Sequence, residues 1–424
     1  MSEQDDDKPY WFSTQQHLSK SAEPGIWLRL QQFMPPDAIR DRAFRPPVLL
    51  LHGGSANHRT FTIETVGLAD WLFALGLDPW LLDWRGSSLV VDFPLNQETL
   101  KRRSELYTFN RAAREDLPAA IAIMRSQGVT GAIAAVGHCM GAAVIAEAIA
   151  TGSTGKDINR IVLLALGLFY QAAIDSRLKS EERVLERLTS DVANVPVIDP
   201  RMDAAGKLPQ KPWPSDLERL YMAWPSGLRA HDDQDPSVSQ MCNRVSFMYG
   251  MPFYHQNLAP GIHEAAPKHQ GTGSVGPELP RCFGGFPLKM YLHAARNLRA
   301  GQATFFDSGS GIATEASREK FLELESVTLI TGELNRLWHR DSIDRMHEWL
   351  CRGFTQANRF VRKFVLKDFA HQDLLWSGKS PVHVYPRIAE GLGLHTVAAD
   401  PSRQRRRRRS AAYRTDPESS ASAF

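Results

Sequence analysis

One pentapeptide constrains the fold of this 424-residue chain more than any other feature. Gly137-His138-Cys139-Met140-Gly141 stands between an apolar run, 132–136, and a run of small residues, 142–146. The arrangement matches the strand–turn–helix pattern G-x-S-x-G, whose central residue lies on a strained turn, with cysteine in place of serine. The flanking glycines let strand and helix approach without a Cβ clash. We therefore expect a nucleophile elbow with Cys139 at its apex.

Short apolar runs bounded by turn residues recur on both sides of this pentapeptide. They lie at 26–33, 47–51, 79–83, 159–166, 326–332 and 362–366, and helical periodicity is visible over 69–75, 110–125 and 341–351. Continuous apolar runs are typical of parallel strands buried on both faces, and their alternation with helices is typical of a parallel sheet. The pattern predicts an α/β fold with a doubly wound, mostly parallel sheet.

The alternation stops after the sixth expected strand and resumes near residue 306, which predicts a cap or lid insertion. The interrupted stretch is rich in Pro, Trp, Met, His and Gly. The predicted organisation is an N-terminal extension (1–24), the first part of the core (25–170), the cap or lid (171–305), the second part of the core (306–398) and an Arg-rich tail (399–424).

Composition narrows the class of protein. Hydrophobic content of 43% and charged content of 23% are those of an ordinary globular protein. The four cysteines show no zinc-binding or C-x-x-C spacing, and residues 1–8 form no apolar leader. We expect a cytoplasmic protein with no cofactor and no metal.

From residue 401 onward, the Arg-rich tail carries seven arginines against two acidic residues. A block of like charges repels itself and is normally solvated, which is the main expectation here. An anionic membrane surface, RNA or a partner protein are the alternatives that the charge leaves open. The tail does not indicate an enzyme acting on nucleic acid, and no nucleic-acid partner is expected.

His371 is the expected general base for Cys139. It directly follows the last apolar run, and catalytic groups of open α/β sheets gather at the carboxyl ends of strands. Cys139 also precedes His371 in the chain, as the order nucleophile–acid–histidine requires. An ordinary imidazole pKa of about 6.5 suits proton transfer in both directions.

The sequence leaves the identity of the third catalytic residue open. Asn335 follows the penultimate apolar run, at a position where aspartate is usual. An amide can orient an imidazole, as in Cys-His-Asn sites, but it cannot stabilise imidazolium by charge. Glu333, Asp341 or Asp307 could supply a carboxylate instead, and the residues alone do not choose among them.

Two backbone amides are expected to form an oxyanion hole. One belongs to Met140, directly after the nucleophile, and the second to Gly54, in the His52-Gly53-Gly54 turn that follows an apolar run.

These segments together resemble the α/β-hydrolase superfamily over 25–170 and 305–395, and within it the acid-lipase branch. The motifs that carry the closer likeness are Leu82-Asp83-Trp84-Arg85-Gly86-Ser87, Glu115-Asp116-Leu117-Pro118-Ala119, and His371-Gln372-Asp373-Leu374-Leu375-Trp376 followed by Val384-Tyr385. The resemblance implies the α/β-hydrolase fold and a carboxylic-ester hydrolase.

A still nearer likeness is to bacterial hydrolase-like domains associated with cholesterol-oxidase-type flavoproteins. Gly137–Gly141, Gly332-Glu333-Leu334-Asn335-Arg336 and Cys242–Gly250 are similar to segments of those domains. The likeness implies that Asn335 is a family trait, which favours a Cys-His-Asn set. It also implies an association with a flavin oxidoreductase, since this chain has no G-x-G-x-x-G of its own after a first strand.

Three functions remain open. The first is hydrolysis of a hydrophobic ester, with a small acyl or sterol-like substrate, through a thioester on Cys139. The second is acyl transfer or thioester hydrolysis by the same Cys-His pair. The third is lipid or sterol binding without catalysis on a hydrolase scaffold.

Overall fold

The computed structural model describes residues 9–14, 25–35, 45–63, 66–183, 197–200, 278–352 and 360–394, with residues 245, 257 and 262. Its centre is an eight-stranded sheet. The strands in chain order are β1 (Tyr10–Ser13), β2 (Trp27–Gln32), β3 (Pro47–Leu51), β4 (Asp78–Asp83), β5 (Ile133–His138), β6 (Ile158–Leu164), β7 (Val197–Ile198), β8 (Phe286–Pro287), β9 (Ser326–Gly332) and β10 (Val361–Leu366). The short β7 and β8 pair with each other outside that sheet.

The spatial order of the sheet is β1-β2-β4-β3-β5-β6-β9-β10. Strands β4, β3, β5, β6, β9 and β10 run parallel, while β2 runs antiparallel to both of its neighbours. All residues of β3 and β9 are buried, as continuous apolar runs require of strands covered on both faces. The predicted doubly wound, mostly parallel sheet is confirmed.

Helices cover both faces of the sheet. They are α1 (Leu68–Ala74), α2 (Ser88–Asp92), α3 (Pro94–Arg102), α4 (Phe109–Arg111), α5 (Leu117–Ser126), α6 (Met140–Thr151), α7 (Ile174–Glu181), α8 (Glu278–Cys282), α9 (Leu288–Ala300), α10 (Glu315–Leu322), α11 (Asp341–Cys351), α12 (Asp373–Trp376), α13 (Ser380–His383) and α14 (Tyr385–Gly391). One apolar cluster contains α6 and the inner part of α11, and a second, on the other face, contains α1 and α14.

The sheet begins earlier in the chain than predicted. Strand β1 pairs with β2 from Tyr10 to Ser13, inside the predicted N-terminal extension, so the boundary at residue 25 does not coincide with the start of the sheet. The strand is four residues long, and its place in the sheet depends on pairing with β2, for which a short sequence window carries no signal.

The helix expected over 110–125 is present, with an interruption that periodicity did not indicate. A π-helical segment, Ala112–Asp116, joins α4 to α5. It carries Glu115 and Asp116, whose carboxylates bind the fully buried guanidinium of Arg85 at 2.6 and 2.5 Å. π-helical turns are rare in proteins, and many of those that occur inside α-helices lie at functional sites.

Strands β6 and β9 are direct neighbours, so the chain between them leaves the sheet and returns beside it. Most of the predicted cap or lid, and the whole Arg-rich tail, lie outside the described residues. Both therefore stay predictions. In the part of the chain that the structure describes, no helix has the length and apolarity needed to cross a membrane.

Candidate active site

The turn between β5 and α6 has the geometry of a nucleophile elbow. Cys139 adopts φ 55° and ψ −124°, a strained conformation for a residue with a side chain. A Cβ on Gly137 would lie 2.6 Å from the backbone N of Ala142, and one on Gly141 would lie 2.5 Å from the carbonyl oxygen of Leu51. Because these contacts are with backbone, only glycine fits at either position.

The thiol of Cys139 is buried, and its surroundings keep it neutral. Burial raises its pKa to about 11, although the amides of Met140 and Gly54 act in the opposite direction. The indole N–H of Trp338 also faces the sulphur and lowers the pKa, but these two atoms do not meet the geometry of a hydrogen bond. The resting site therefore holds a thiol and not a thiolate.

The predicted oxyanion-hole residues lie beside this thiol. A Cβ on Gly53 would lie 3.1 Å from the Cβ of Cys139, and one on Gly54 would lie 2.9 Å from Cζ of Phe286. The turn after β3 is thus pressed between the elbow and the short β8, where a side chain would displace it. The amides of Gly54 and Met140 both act on the sulphur, as two donors for an oxyanion at this position would.

A buried carboxylate, Asp83, at the end of β4 stabilises the neighbouring loops. It accepts hydrogen bonds from the backbone N and Nδ1 of His58 at 2.9 and 2.8 Å, and from Nη1 of Arg29 at 3.0 Å. Burial alone would raise the pKa of Asp83, but His58 and His52 hold it well below its usual range. The side chain of His52, in the turn that also holds Gly53 and Gly54, lies 3.4 Å from this carboxylate.

His371 lies on the loop between β10 and α12 with its side chain buried. Its Nδ1 lies 3.2 Å from Oδ1 of Asn335, and its Nε2 makes no hydrogen bond within the described residues. Burial, and then His138, hold the pKa of His371 well below its usual range. A neutral imidazole that donates through Nδ1–H leaves Nε2 as a free proton acceptor, which a general base needs.

The orientation of the Asn335 amide follows from its other partners. Its Oδ1 also accepts the backbone N–H of Trp338 at 3.2 Å, and its Nδ2 donates to Oγ1 of Thr331 at 3.4 Å. A flipped amide would place its own NH₂ group against that N–H donor. Asn335 is therefore held as an acceptor facing the imidazole.

The three carboxylates considered as alternatives lie elsewhere. Glu333, Asp307 and Asp341 are all exposed. The ion-pair partner of Asp341 is Nδ1 of His339, at 3.1 Å, and Asp307 acts electrostatically on His293. Among the described residues it is Asn335, and none of these three, that contacts His371. Each candidate lies at least 30 positions from His371 in sequence, so only the folded loops decide which one contacts it.

His138, the residue before the nucleophile, stabilises the histidine loop. Its Nε2 donates to the backbone carbonyl of His371 at 3.1 Å, and the two rings lie 4.8 Å apart. Burial lowers the pKa of His138 to about 4, so its ring is neutral. Sequence reasoning did not assign this residue a role.

Glu147 is a second group that sequence reasoning missed. It is fully buried in α6, and its Oε2 accepts a hydrogen bond from Nδ2 of Asn110 at 2.8 Å. Burial raises the pKa of this carboxyl to about 8, so it is a neutral acid at neutral pH. A detectable signal existed, because Glu147 is the one charged residue in the apolar sequence of α6.

Tyr170 and Asn297 are buried in the same neighbourhood. Oδ1 of Asn297 accepts from the backbone N and Oγ1 of Thr304 at 2.9 and 2.7 Å, whereas its Nδ2 and the hydroxyl of Tyr170 make no hydrogen bond among the described residues. Burial, with Glu147 second, raises the pKa of Tyr170, the Asn297 side chain lowers it as a donor to the phenol oxygen would, and Cys139 also acts on it. The Asn297 and Tyr170 atoms face each other but do not meet the geometry of a hydrogen bond. We call Glu147, Tyr170 and Asn297 the polar cluster.

No group of three or more His, Cys, Asp or Glu side chains in the described ranges is arranged to hold a metal ion. The site chemistry that these residues offer is nucleophilic attack by a thiol, assisted by a neutral imidazole and backbone donors.

The chain is similar to several solved structures. One is a thermophilic esterase from Thermogutta terrifontis (13% identity, 91% of this chain and 98% of that chain covered, TM-score 0.43). Others are a thermostable carboxyl esterase from Bacillus coagulans (12%, 87% and 92%, 0.45) and a thioesterase domain from the curacin biosynthetic pathway (13%, 92% and 99%, 0.42). At these values the likenesses carry no argument about activity.

Comparison with curated proteins gives no match. The sequence model of the alpha/beta hydrolase family matches residues 48–350, which is more than half of the chain. That stretch includes the turn of Gly53 and Gly54, the elbow and the loop of Asn335. The chain therefore belongs to the alpha/beta hydrolase family.

Proposed function

We propose that the protein is a carboxylic-ester hydrolase that acts through a thioester on Cys139. The observation that carries the proposal is the elbow itself, which holds a thiol in a strained turn between two amide donors. His371, oriented by Asn335, supplies the base. Strain at such a position is retained where function requires it.

The proposed first step moves one proton and exchanges one bond. Nε2 of His371 takes the thiol proton as Sγ of Cys139 attacks the acyl carbon, and the carbonyl oxygen becomes an oxyanion that the Gly54 and Met140 amides stabilise. The carbonyl re-forms as the C–O bond to the alcohol breaks, and the alcohol leaves with the proton from the imidazolium.

The second step repeats the first with water in place of the thiol. His371 takes a proton from water, the resulting hydroxide attacks the thioester carbon, and the C–S bond breaks. The sulphur recovers the proton from the imidazolium. Because the thioester keeps a high transfer potential, an alcohol or a thiol can take the place of water, which is the acyl-transfer alternative.

The resting protonation states favour base-assisted attack over a preformed ion pair. The pKa of Cys139 lies far above that of His371, so thiol and imidazole are both neutral before substrate binds. Proton transfer must then accompany attack. The buried His371 lacks a carboxylate partner among its described contacts, and the Asn335 amide does not offset the charge of imidazolium.

The test compares wild type with Cys139→Ala on p-nitrophenyl hexanoate, with intact-mass detection of a hexanoyl adduct. We expect turnover and a Cys139-linked adduct in wild type and neither in Cys139→Ala, with the fold retained. Cys351→Ala is the matched control, because this thiol lies on α11 against His347. Equal turnover in Cys139→Ala would overturn the proposal, and added alcohol that appears in the product would favour the transferase.

We also propose membership of the acid-lipase-like branch. Its support is that the motif segments that carry the resemblance contact one another. Arg85 of the first segment binds Glu115 and Asp116 of the second. In the third, Oδ2 of Asp373 accepts the N–H of Ala370, which is adjacent to His371. A hydrophobic or sterol-like substrate, and an association with a flavin oxidoreductase, stay predictions.

A further inference from the structure

The polar cluster presents three unsatisfied polar atoms in one buried region. Oε1 of Glu147, the hydroxyl of Tyr170 and Nδ2 of Asn297 have no hydrogen-bond partner among the described residues, and all three residues are fully buried. Leaving one such group unpaired costs about 1–3 kcal/mol. Native proteins hold few of these groups, so three together indicate a place where something else supplies the partner.

A continuous set of contacts connects this region to the nucleophile. The ring of Tyr170 packs edge-on against Trp338 with centroids 5.2 Å apart, and the indole N–H of Trp338 faces Cys139. The hydroxyl of Tyr170 is under the electrostatic influence of both Glu147 and Cys139. Tyr170 therefore lies near both Cys139 and the other members of the polar cluster.

Hydrogen bonds through Thr304 and Asn110 connect the other two members of the polar cluster. The backbone oxygen of Thr304 accepts from Nδ2 of Asn110 at 3.0 Å, and its N–H and hydroxyl donate to Oδ1 of Asn297. Asn110 in turn donates to Oε2 of Glu147. The bonds use one oxygen of each side chain and leave Nδ2 of Asn297 and Oε1 of Glu147 without partners.

The unsatisfied atoms share one chemical character, which is hydrogen-bond donation. Nδ2 of Asn297 and the Tyr170 hydroxyl carry hydrogens. Oε2 of Glu147 is occupied as an acceptor, so in the neutral acid Oε1 is the oxygen that carries the proton. The Asn297 amide acts on the Tyr170 oxygen, so one of the two Nδ2 hydrogens is directed there. The donors that remain match an oxygen atom with free lone pairs.

We propose that the substrate carries, besides its ester, a second neutral oxygen function such as an oxo group, and that Glu147, Tyr170 and Asn297 bind this oxygen. The inference rests on the proposed function and narrows its substrate class from a plain hydrophobic ester to an oxygenated one. A hydroxyl or ketone on the acyl part and one on the alcohol part satisfy the donors equally, and the test distinguishes these two sources.

The test measures kcat/KM for matched pairs of esters. On the acyl side, p-nitrophenyl hexanoate is compared with its 4-oxo and 5-oxo analogues, and on the alcohol side, pentyl hexanoate is compared with 4-oxopentyl hexanoate. We expect at least about a tenfold preference for the oxo ester in one pair, because a site built for an oxygen rejects the analogue that lacks it. Equal rates in every pair overturn the proposal.

The variant that tests the assignment is Tyr170→Phe, which should reduce this preference to near unity. Tyr385→Phe is the matched control, since it removes a buried hydroxyl that donates to the carbonyls of Val66 and Leu375, and it should leave the preference unchanged. A preference that survives in Tyr170→Phe overturns the assignment. Because the readout is a ratio, partial loss of folded protein does not alter it.

A binding measurement separates this inference from the proposed activity. Calorimetry on Cys139→Ala protein compares the binding of hexanamide with that of 5-oxohexanamide. It also compares the binding of N-pentylhexanamide with that of N-(4-oxopentyl)hexanamide. We expect tighter binding of one oxo amide and loss of the difference in Cys139→Ala/Tyr170→Phe. That result, without any ester turnover by wild type, would overturn the hydrolase and leave the oxygen subsite standing.

Discussion

Nδ1–H of His371 donates a hydrogen bond to Oδ1 of Asn335 across 3.2 Å, so a neutral amide orients the base of the candidate site. The amide is itself held by the backbone N–H of Trp338 and by Thr331. This pairing fixes the imidazole tautomer without adding a charge, and the pKa of His371 stays well below its usual range because of burial and the neighbouring His138.

Asn335→Asp should move the acid limb of the pH–rate profile to higher pH. His371 acts in its neutral form, so activity falls only as pH drops through its depressed pKa. A carboxylate at 335 favours imidazolium and should raise that pKa by about 1–2 units. The measurement is kcat/KM against pH; an unchanged limb would contradict the role of Asn335. Asn335→Ala, which removes orientation without adding charge, should instead lower kcat at every pH.

The resting thiol of Cys139 should alkylate slowly and with a steep pH dependence. With a pKa of about 11, its thiolate fraction rises about tenfold per pH unit across the neutral and mildly alkaline range. The measurement is iodoacetamide labelling followed by peptide mass spectrometry, with the partly exposed Cys351 as an internal reference. A labelling rate that is already constant near about pH 6 would indicate a thiolate–imidazolium pair and contradict the neutral resting state.

Gly141→Ala should destabilise the elbow. The new Cβ would lie 2.5 Å from the carbonyl oxygen of Leu51, and backbone cannot give way as a flexible side chain can. We expect a loss of about 1–3 kcal/mol in the free energy of unfolding, measured by urea denaturation. Gly378→Ala is the control, since its Cβ meets nothing within 4 Å, and it should change stability by less than about 0.5 kcal/mol. Comparable losses in both variants would refute the packing argument.

Glu147→Gln should remove a pH dependence of stability. The folded-state pKa of this carboxyl is raised by burial from 4.5 to about 8, so its stabilising contribution is complete at low pH and is lost as pH rises from 4.5 through about 8. Between these two pH values, each pH unit lowers the free energy of unfolding by about 1.4 kcal/mol. Urea denaturation at about pH 5 and about pH 8 should show wild type weakening relative to Glu147→Gln. A constant difference between the two proteins would contradict burial of a neutral acid.

The sequence by itself determined the features that depend on neighbouring residues. The elbow needs glycine on both sides of one residue, so Gly137, Cys139 and Gly141 are recognisable without a structure. Continuous apolar runs indicated the buried parallel strands, and the order of Cys139 and His371 indicated their roles. Each of these signals lies within a short window, because a strand, a turn or a helix end depends on local backbone sterics.

Only the tertiary structure decided which distant residues meet. It brought Asn335 to His371 and left Glu333, Asp307 and Asp341 on the surface. It placed β1 at the edge of the sheet. It also assembled the polar cluster from α6, α9 and the loop after β6, three segments that share no local pattern. Hydrogen bonds and burial depend on distance in space, and distances between remote segments are set by packing of the whole core, which no single window of sequence contains.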